Sequence, residues 1–179
     1  MPPNDKLYHF WVTVPTGYME VALDEMREVL TGVQIDRFEK GRVQTRIYCT
    51  YERSPLRLLQ LRSVYAVYAI LADMRGITVG KPGIERIAGQ AAKVNMAAAQ
   101  RLAQVCDPEV ATNVFRLQAT VQGNHRFGQA QVVQSVQKAI EQQTPLRAAP
   151  SEKGLLLQVQ VRGRSAVLGL RLQIGRAHV

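Results

Sequence analysis

Cysteine and histidine are scarce in this sequence of 179 residues, which has two cysteines, Cys49 and Cys106, and three histidines. No Cys/His spacing typical of a zinc site occurs, so both cysteines are predicted to be buried, reduced thiols. No apolar run approaches the roughly 18 residues of a transmembrane helix. The N-terminus, Met-Pro-Pro-Asn-Asp-Lys, lacks the apolar segment of a signal peptide. These absences predict a cytoplasmic protein without a metal site.

Catalytic motifs are absent as well. The sequence has no P-loop, and the stretch GRSAVLG lacks the glycine spacing of a dinucleotide-binding loop and is not followed by a helical pattern. No Ser-His-Asp or Cys-His set stands out. The acidic run Asp107-Pro108-Glu109 is better explained as the end of a helix, because Asp and Pro commonly close helices. The sequence therefore predicts a binding surface and no catalytic centre.

Acidic residues are few in the last part of the chain. Residues 111–179 hold nine Lys/Arg against two Asp/Glu, a net charge of +7, whereas residues 1–110 hold 14 against 12, a net of +2. The whole chain carries +9, with a pI near 10.0. This imbalance indicates an anionic partner, most commonly RNA or DNA. The alternative from charge alone is a basic surface without a specific ligand.

The first 75 residues follow a strand–helix–strand–strand–helix–strand pattern. HFWVTV alternates and stops at the turn Pro15-Thr16-Gly17, after which a helical stretch places Val21 and Met26 on its apolar face. Lys40-Gly41 has the composition of a hairpin turn, and Pro55 begins a second helix. Two βαβ-like halves that share one sheet predict a ferredoxin-like subdomain over residues 1–75.

The rest of the chain begins with a glycine-rich linker, RGITVGKPG, and a long helical stretch that Gly89 is expected to weaken or bend. A β-α-β-β pattern follows. Its first strand points Phe115 inward, its helix covers Gln129–Gln143, and its last two strands meet at the tight hairpin Arg162-Gly163-Arg164-Ser165. The predicted fold class of the whole chain is therefore α+β.

Basic side chains on this last segment are the candidate binding residues. Three lie on outward strand faces, one at the hairpin turn, and two in the loop before a helix N-terminus, which itself attracts phosphate. Phe127, next to that loop, is interpreted as packing against the helix in preference to stacking on a base. The predicted RNA-binding residues are Arg116, His125, Arg126, Arg162, Arg164 and Arg171.

Two stretches resemble a known RNA-binding module. FRLQATVQGNHRFGQAQVVQSVQKAI, followed by LQVQVRGRSAVLGLRL, is similar to the THUMP domain of tRNA-modifying enzymes. The match includes Phe115-Arg116, Gly123, the His125-x-Phe127 pair and Val167-Leu168-Gly169-Leu170. VPTGYMEVALDEMREVL and LRSVYAVYAIL look like the ferredoxin-like leader of THUMP-containing tRNA guanosine N2-methyltransferases, especially the eukaryotic-type branch.

The resemblance implies that separate domains bind the tRNA and catalyse its modification. The leader (residues 1–75) and the THUMP domain (residues 76–173) would hold the acceptor stem and single-stranded 3′ end of tRNA. A separate Rossmann-like domain, absent from this sequence, would methylate a guanosine with S-adenosylmethionine. A small zinc-binding activator subunit is a further partner that related eukaryotic enzymes use. By position, Arg116, His125 and Arg126 would lie in the tRNA-facing region.

Several alternatives stay open at the level of sequence. The parent protein could be a thiolation, pseudouridylation or deamination enzyme, since THUMP modules are shared among them. A stand-alone RNA-binding adaptor and an interaction domain for an acidic protein are the other two. Residues 174–179 (IGRAHV) coincide with the translation of a sequencing-adapter oligonucleotide and are expected to be a non-native tail.

Overall fold

The computed structural model describes residues 6–151 and 153–172, so the expected non-native tail, residues 174–179, lies outside the described residues. The described residues form a mixed α/β fold with an eight-stranded sheet. Its strands are β1 (His9–Pro15), β2 (Gln34–Lys40), β3 (Gln44–Thr50), β4 (Ala66–Arg75), β5 (Ala111–Gln122), β6 (Arg147–Ala148), β7 (Gly154–Arg162) and β8 (Ser165–Leu172). The helices are α1 (Met19–Val29), α2 (Lys81–Ala92), α3 (Met96–Cys106) and α4 (Gln129–Gln143), with a 3₁₀ helix at Pro55–Gln60.

The strands are ordered β2-β3-β1-β4-β8-β7-β5-β6 across the sheet. Neighbours are antiparallel except that β5 runs parallel to both β6 and β7. Helix α4 supplies the crossover that parallel strands require. Strands β4 and β8 pair from Val67↔Leu172 to Arg75↔Ser165, so the first and last parts of the chain belong to one continuous sheet.

The strongest sequence patterns in the last segment are confirmed. Helix α4 occupies the predicted residues and buries Val132, Val136 and Ile140, one apolar stripe. Strand β5 buries Phe115, as its alternation predicted. The turn between β7 and β8 has Gly163 at a φ of +59°, which a glycine adopts without strain.

Some details of the helix predictions were wrong. The long helical stretch is two helices, and it breaks at residues 93–95, beyond Gly89. The Asn95 side chain caps α3 by accepting a hydrogen bond from the Ala98 N–H at 3.1 Å. The predicted helix at Pro55 is a 3₁₀ helix of six residues, longer than the roughly three or four residues at which this tighter form is common. Val21 is 57% exposed, contrary to the prediction, whereas Met26 is buried as predicted, together with Ala22 and Leu23.

The two sheet faces differ in what covers them. The helices pack on one face, where Met26 of α1, Ile87 of α2, Ala99 of α3 and Val136 of α4 share a core with Phe10 of β1. The opposite face has its own smaller cluster, which consists of Trp11, Tyr48, Tyr68 and Val167. Each of the two tyrosines is the register partner of Trp11 on a neighbouring strand.

This second face is concave. Strands β2 and β7 have four strands between them, which in a flat sheet would place them about 24 Å apart, at about 4.8 Å per strand. Yet Glu39 Oε2 on β2 lies 3.7 Å from Arg162 Nη1 on β7. Irregularities between Ile35 and Arg37 and between Ile70 and Ala72 add bending to the ordinary twist. The sheet therefore curls until its distant strands face each other.

Candidate nucleic-acid interface

The loop between β5 and α4 is fastened to the β7–β8 turn. His125 Nε2 lies 2.7 Å from the carbonyl oxygen of Gly163, and the Gly163 N–H donates to the Gln122 carbonyl at 3.0 Å. Gly123 has a φ of +112°, and a Cβ there would come within 3.2 Å of the Gly163 nitrogen. The close approach therefore depends on the glycine at position 123, whereas Gly163 is favoured by its positive φ and not by lack of space.

The linker before α2 joins the same contact. The Arg126 N–H donates to the Val79 carbonyl at 2.8 Å, and the Ile77 N–H donates to the Arg164 carbonyl at 2.9 Å. These bonds use the backbones of Arg126 and Arg164, whose side chains are exposed. The β5–α4 loop, the linker before α2 and the β7–β8 turn thus hold the guanidinium groups of Arg126 and Arg164 at one end of the sheet. We call this end the braced edge.

The start of α4 lies at this edge. Its N-cap is Gly128, which has no side chain to cap the helix, and the Gln131 side chain accepts from the Gly128 N–H at 2.9 Å. Backbone N–H groups of the first turn carry the positive end of the helix dipole. Phe127 is only 5% exposed and belongs to the main core, so it is a packing residue and offers no surface for a base to stack on.

Two further predicted residues meet on the concave face. Arg116 of β5 and Arg171 of β8 line a cavity of about 290 Å³ together with Tyr68, Gln118 and Gln158. Tyr68 is the register partner of Arg171, and its ring stacks on Trp11 with centroids 4.5 Å apart. This cavity combines two cations, two amides and an aromatic wall.

Arg162 lies elsewhere on the concave face, opposite the β2–β3 hairpin. It lines a cavity of about 650 Å³ whose other basic residues are Lys40, Arg42 and Arg46. Alternation in the sequence places Arg42 and Arg46 on an outward strand face, but only the curl of the sheet brings them opposite Arg162. These three hairpin residues are therefore candidate binding residues that sequence reasoning missed.

An acidic side chain sits among these arginines. Tyr48 donates its hydroxyl hydrogen to Glu39 Oε2 at 3.2 Å, and the Arg46 Nε lies 3.5 Å from the same oxygen. Burial, followed by the charge of Glu39, raises the pKa of Tyr48 to about 12, so the phenol stays a donor even at pH 10, where an ordinary tyrosine is half ionised.

The six predicted RNA-binding residues thus fall into three places. His125, Arg126 and Arg164 share the braced edge, Arg116 and Arg171 share the smaller cavity, and Arg162 belongs to the larger one. Their contact with RNA stays a prediction. The part of the chain described by the structure contains no group of three or more metal-ligating side chains, and none of its helices is long and apolar enough to cross a membrane.

The cavities of the concave face do not suit S-adenosylmethionine. That cofactor carries a sulfonium cation, and both cavities are lined by arginines, which repel a positive charge. None of the loops that join a strand to a helix among the described residues has the G-x-G-x-x-G spacing of a nucleotide-cofactor loop. Neither of these two cavities is therefore assigned to S-adenosylmethionine.

No family model and no curated protein matches the sequence, but solved structures match its fold. TrmN from Thermus thermophilus matches with a TM-score of 0.64 at 20% identity, over 92% of this chain and 45% of that chain. SMU.472 complexed with SAH matches with a TM-score of 0.61 at 11% identity, over 93% and 41%. A 4-thiouridine synthetase–RNA complex with bound ATP matches with a TM-score of 0.57 at 14% identity, over 95% and 43%.

Identities of 11–20% establish a shared fold and not a shared activity. The chain spans less than half the length of each of these three proteins. The similarity therefore covers one region of each of these longer proteins.

Proposed function

We propose that this chain is the tRNA-binding region of a tRNA-modifying enzyme. The observation that carries the proposal is the braced edge, where the His125–Gly163 contact sets exposed Arg126 and Arg164 beside the start of α4. Two cationic side chains and the positive end of a helix dipole at one place form a site for RNA phosphates. The fold similarity to a 4-thiouridine synthetase–RNA complex supports the same assignment.

The domain boundaries belong to this proposal. Residues 1–75 would form a ferredoxin-like subdomain and residues 76–173 a THUMP domain. The strand order β2-β3-β1-β4 supports the first, because it is the order in which two βαβ halves interleave in one sheet. The 3₁₀ helix at Pro55–Gln60 stands where the second helix of that pattern would lie.

The finer assignment is a tRNA (guanine-N2-)-methyltransferase. Similarity to TrmN and to SMU.472 complexed with SAH supports methylation as the reaction of the parent protein. S-adenosylmethionine would then be bound by a catalytic domain outside this sequence, since the arginine-lined cavities do not fit it. This chain would hold the acceptor stem and the 3′ end and so present the target guanosine to that domain.

Thiolation is the second candidate, because one of the matching structures is a 4-thiouridine synthetase. In that case too this chain would hold the RNA, and only the chemistry of the domain that modifies the RNA would differ. The zinc-binding activator subunit stays a prediction, since nothing among residues 6–151 and 153–172 identifies a surface for it. The cytoplasmic location likewise stays a prediction from sequence.

The test is salt-dependent binding of the whole chain to tRNA by fluorescence anisotropy. If Z phosphates are contacted, the logarithm of the association constant should fall with log salt at a slope of about −0.7Z to −0.9Z. Arg126→Ala and Arg164→Ala should each weaken binding by about 1–3 kcal/mol. Arg57→Ala, which removes an exposed arginine of the 3₁₀ helix, is the matched control and should change little.

Two comparisons decide the specific claim. Removing the single-stranded 3′ end of the tRNA should weaken binding; unchanged affinity rules out recognition of that end. Equal affinity for tRNA and for polyglutamate would reduce the interface to a nonspecific basic surface.

A further inference from the structure

The larger cavity of the concave face, of about 650 Å³, lies at the β2–β3 hairpin. We call it the hairpin cavity. One wall is the β2–β3 hairpin, and the other consists of strands β5 and β7, which the curl of the sheet brings opposite. It is lined by Glu39, Lys40, Gly41, Arg42, Val43, Gln44, Arg46, Thr120, Gln122, Gln160 and Arg162.

The charge of this lining is strongly positive. Four cationic side chains, those of Lys40, Arg42, Arg46 and Arg162, face one carboxylate, that of Glu39. Like charges held around one concavity repel one another, and low-dielectric walls concentrate the resulting field. The net charge of +3 among these residues therefore favours a polyanionic ligand in the cavity.

Glu39 only partly neutralises the arginines around it. Its carboxylate oxygen Oε2 lies 3.5 Å from Arg46 Nε and 3.7 Å from Arg162 Nη1, longer than the roughly 2.7–2.9 Å of charge-assisted hydrogen bonds. Neither guanidinium makes a hydrogen bond to any of residues 6–151 or 153–172. A guanidinium has five N–H donors, so most of this donor capacity is open to another anion.

A second, independent observation concerns Gln160. Its side-chain oxygen is buried at the cavity wall and has no hydrogen-bond partner among the described residues. A buried acceptor without a donor costs free energy, which a ligand N–H or O–H would recover. Gln44 and Gln122 line the same cavity, so amides that can bond to base edges or ribose hydroxyls stand beside the cations.

We propose that the hairpin cavity binds one or two nucleotides of single-stranded RNA, with Arg42, Arg46 and Arg162 on the phosphate and Gln160 on the nucleoside. The cavity volume of about 650 Å³ falls in the range of small-ligand sites and is too small for a double helix. Glu39 acts as the counter-ion that orders the arginines before RNA arrives. This inference rests on the proposed function, and it adds a second RNA contact distinct from the braced edge.

Glu39 supplies the sharpest test. Because its charge repels the incoming phosphate, Glu39→Gln should increase the affinity for RNA while lowering the stability of the free protein. A purely structural Glu39 would lower stability and leave affinity unchanged. Arg42 is exposed, so Arg42→Glu should lower the net charge of the cavity lining from +3 to +1 without disturbing the fold. Lys40→Glu, also at an exposed position, is a second variant of the same kind.

The experiment measures binding of a fluorescein-labelled single-stranded RNA tetranucleotide to the whole chain, with thermal unfolding recorded for every variant. Arg42→Glu and Lys40→Glu should each weaken binding about tenfold or more. Glu39→Gln should strengthen it about threefold, and this gain should shrink at high salt because the removed repulsion is screened. Arg57→Glu makes the same change of net charge away from the cavity and should stay within about twofold of wild type, since its charge is screened.

The outcomes separate this proposal from the previous one. If Arg126→Ala weakens tRNA binding while the hairpin-cavity variants bind the tetranucleotide like wild type, the cavity proposal is overturned and the tRNA-binding function stands. If the chain binds no tRNA but binding of the tetranucleotide responds to Arg42→Glu and Glu39→Gln as expected, the tRNA-binding function is overturned and the cavity proposal stands. Polyglutamate of equal charge should displace the tetranucleotide less effectively than unlabelled RNA does. Equal displacement would overturn the cavity proposal and indicate an acidic peptide as the ligand.

Discussion

His125 Nε2 and the carbonyl oxygen of Gly163 lie 2.7 Å apart, although 38 positions separate the residues in sequence. A carbonyl oxygen only accepts hydrogen bonds, so Nε2 carries the hydrogen. The other ring nitrogen, Nδ1, is buried without a partner among the described residues, and the ring lies 4.7 Å from that of Phe127. His125 is thus committed to holding the loop against the turn, and it would serve RNA binding by positioning its neighbours.

Replacing this histidine separates positioning from direct contact. His125→Ala should cost about 1 kcal/mol of stability, the net value of a typical hydrogen bond. It should also weaken tRNA binding by loosening Arg126 and Arg164, and leave the salt slope unchanged because both guanidinium groups remain. Arg126→Ala provides the comparison, since it should reduce the slope by about 0.7–0.9. A reduced slope in His125→Ala would mean that an imidazolium contacts phosphate directly.

Gly169 lies directly beneath the chain's single tryptophan. A Cβ at position 169 would overlap the Trp11 indole ring, which is fully buried and stacked on Tyr68. Gly169→Ala should therefore destabilise the protein by about 1–3 kcal/mol, the usual effect of overpacking, and alter tryptophan fluorescence. Gly89→Ala, in the interior of α2 with open space around its Cα, should instead stabilise by about 0.5–1 kcal/mol. If Gly169→Ala and Gly89→Ala changed the free energy of unfolding equally in denaturant unfolding, this explanation would be wrong.

Glu25 ties α1 to the loop after the 3₁₀ helix. Burial by itself raises the pKa of the Glu25 carboxyl, but hydrogen bonds from the Ser63 side chain and from the Arg62 and Ser63 backbones outweigh burial and lower it. A lowered folded-state pKa gives stability that is present above the ordinary value of 4.5 and is lost as pH falls.

Chemical denaturation at pH 7 and pH 3.5 tests this relationship. Glu25→Ala should cost about 1 kcal/mol at pH 7, a modest figure because solvent screens partly exposed groups. The difference from wild type should shrink at the lower pH, where the wild-type carboxyl becomes protonated. Asp24→Ala, at the exposed neighbouring position, is the control. A pH-independent difference for Glu25→Ala would show that its charge does not matter.

The two thiols should be inert in the folded protein, in keeping with the prediction that both are buried and reduced. Burial, followed by the charge of Asp36, raises the pKa of Cys49 to about 12, and burial raises that of Cys106 to about 11. At pH 8 the thiolate fraction of Cys49 should fall about 1000-fold relative to an ordinary thiol, so a disulfide reagent should react only after denaturation. Rapid reaction of the native protein would contradict this.

The same shifts predict alkaline destabilisation. The unfolded thiols ionise near pH 9, while the folded ones stay protonated. The unfolded state therefore binds fewer protons above pH 9, and stability should decline as pH rises from 9 towards 12. The substitutions Cys49→Ser and Cys106→Ser should reduce this decline in the free energy of unfolding. Chemical denaturation at pH 8 and pH 10.5 measures it.

Local periodicity was enough to predict much of the last segment. The stripe of Val132, Val136 and Ile140 located α4, and alternation around Phe115 oriented β5, because both depend on spacing within a single element. Gly163 marked the hairpin turn for a similarly local reason. The break before α3 was missed, since the Asn95 cap competes with an otherwise continuous helical pattern.

The sequence by itself also determined the basic character of the chain and the loop that carries His125 and Arg126. Only the tertiary structure decided that Glu39 meets Arg162, and hence that Arg42 and Arg46 share a cavity with it. That meeting depends on the curl accumulated over the strands between β2 and β7, which no pattern within one strand encodes. Charge and periodicity are properties of the chain, whereas which charges face one another is a property of the folded sheet.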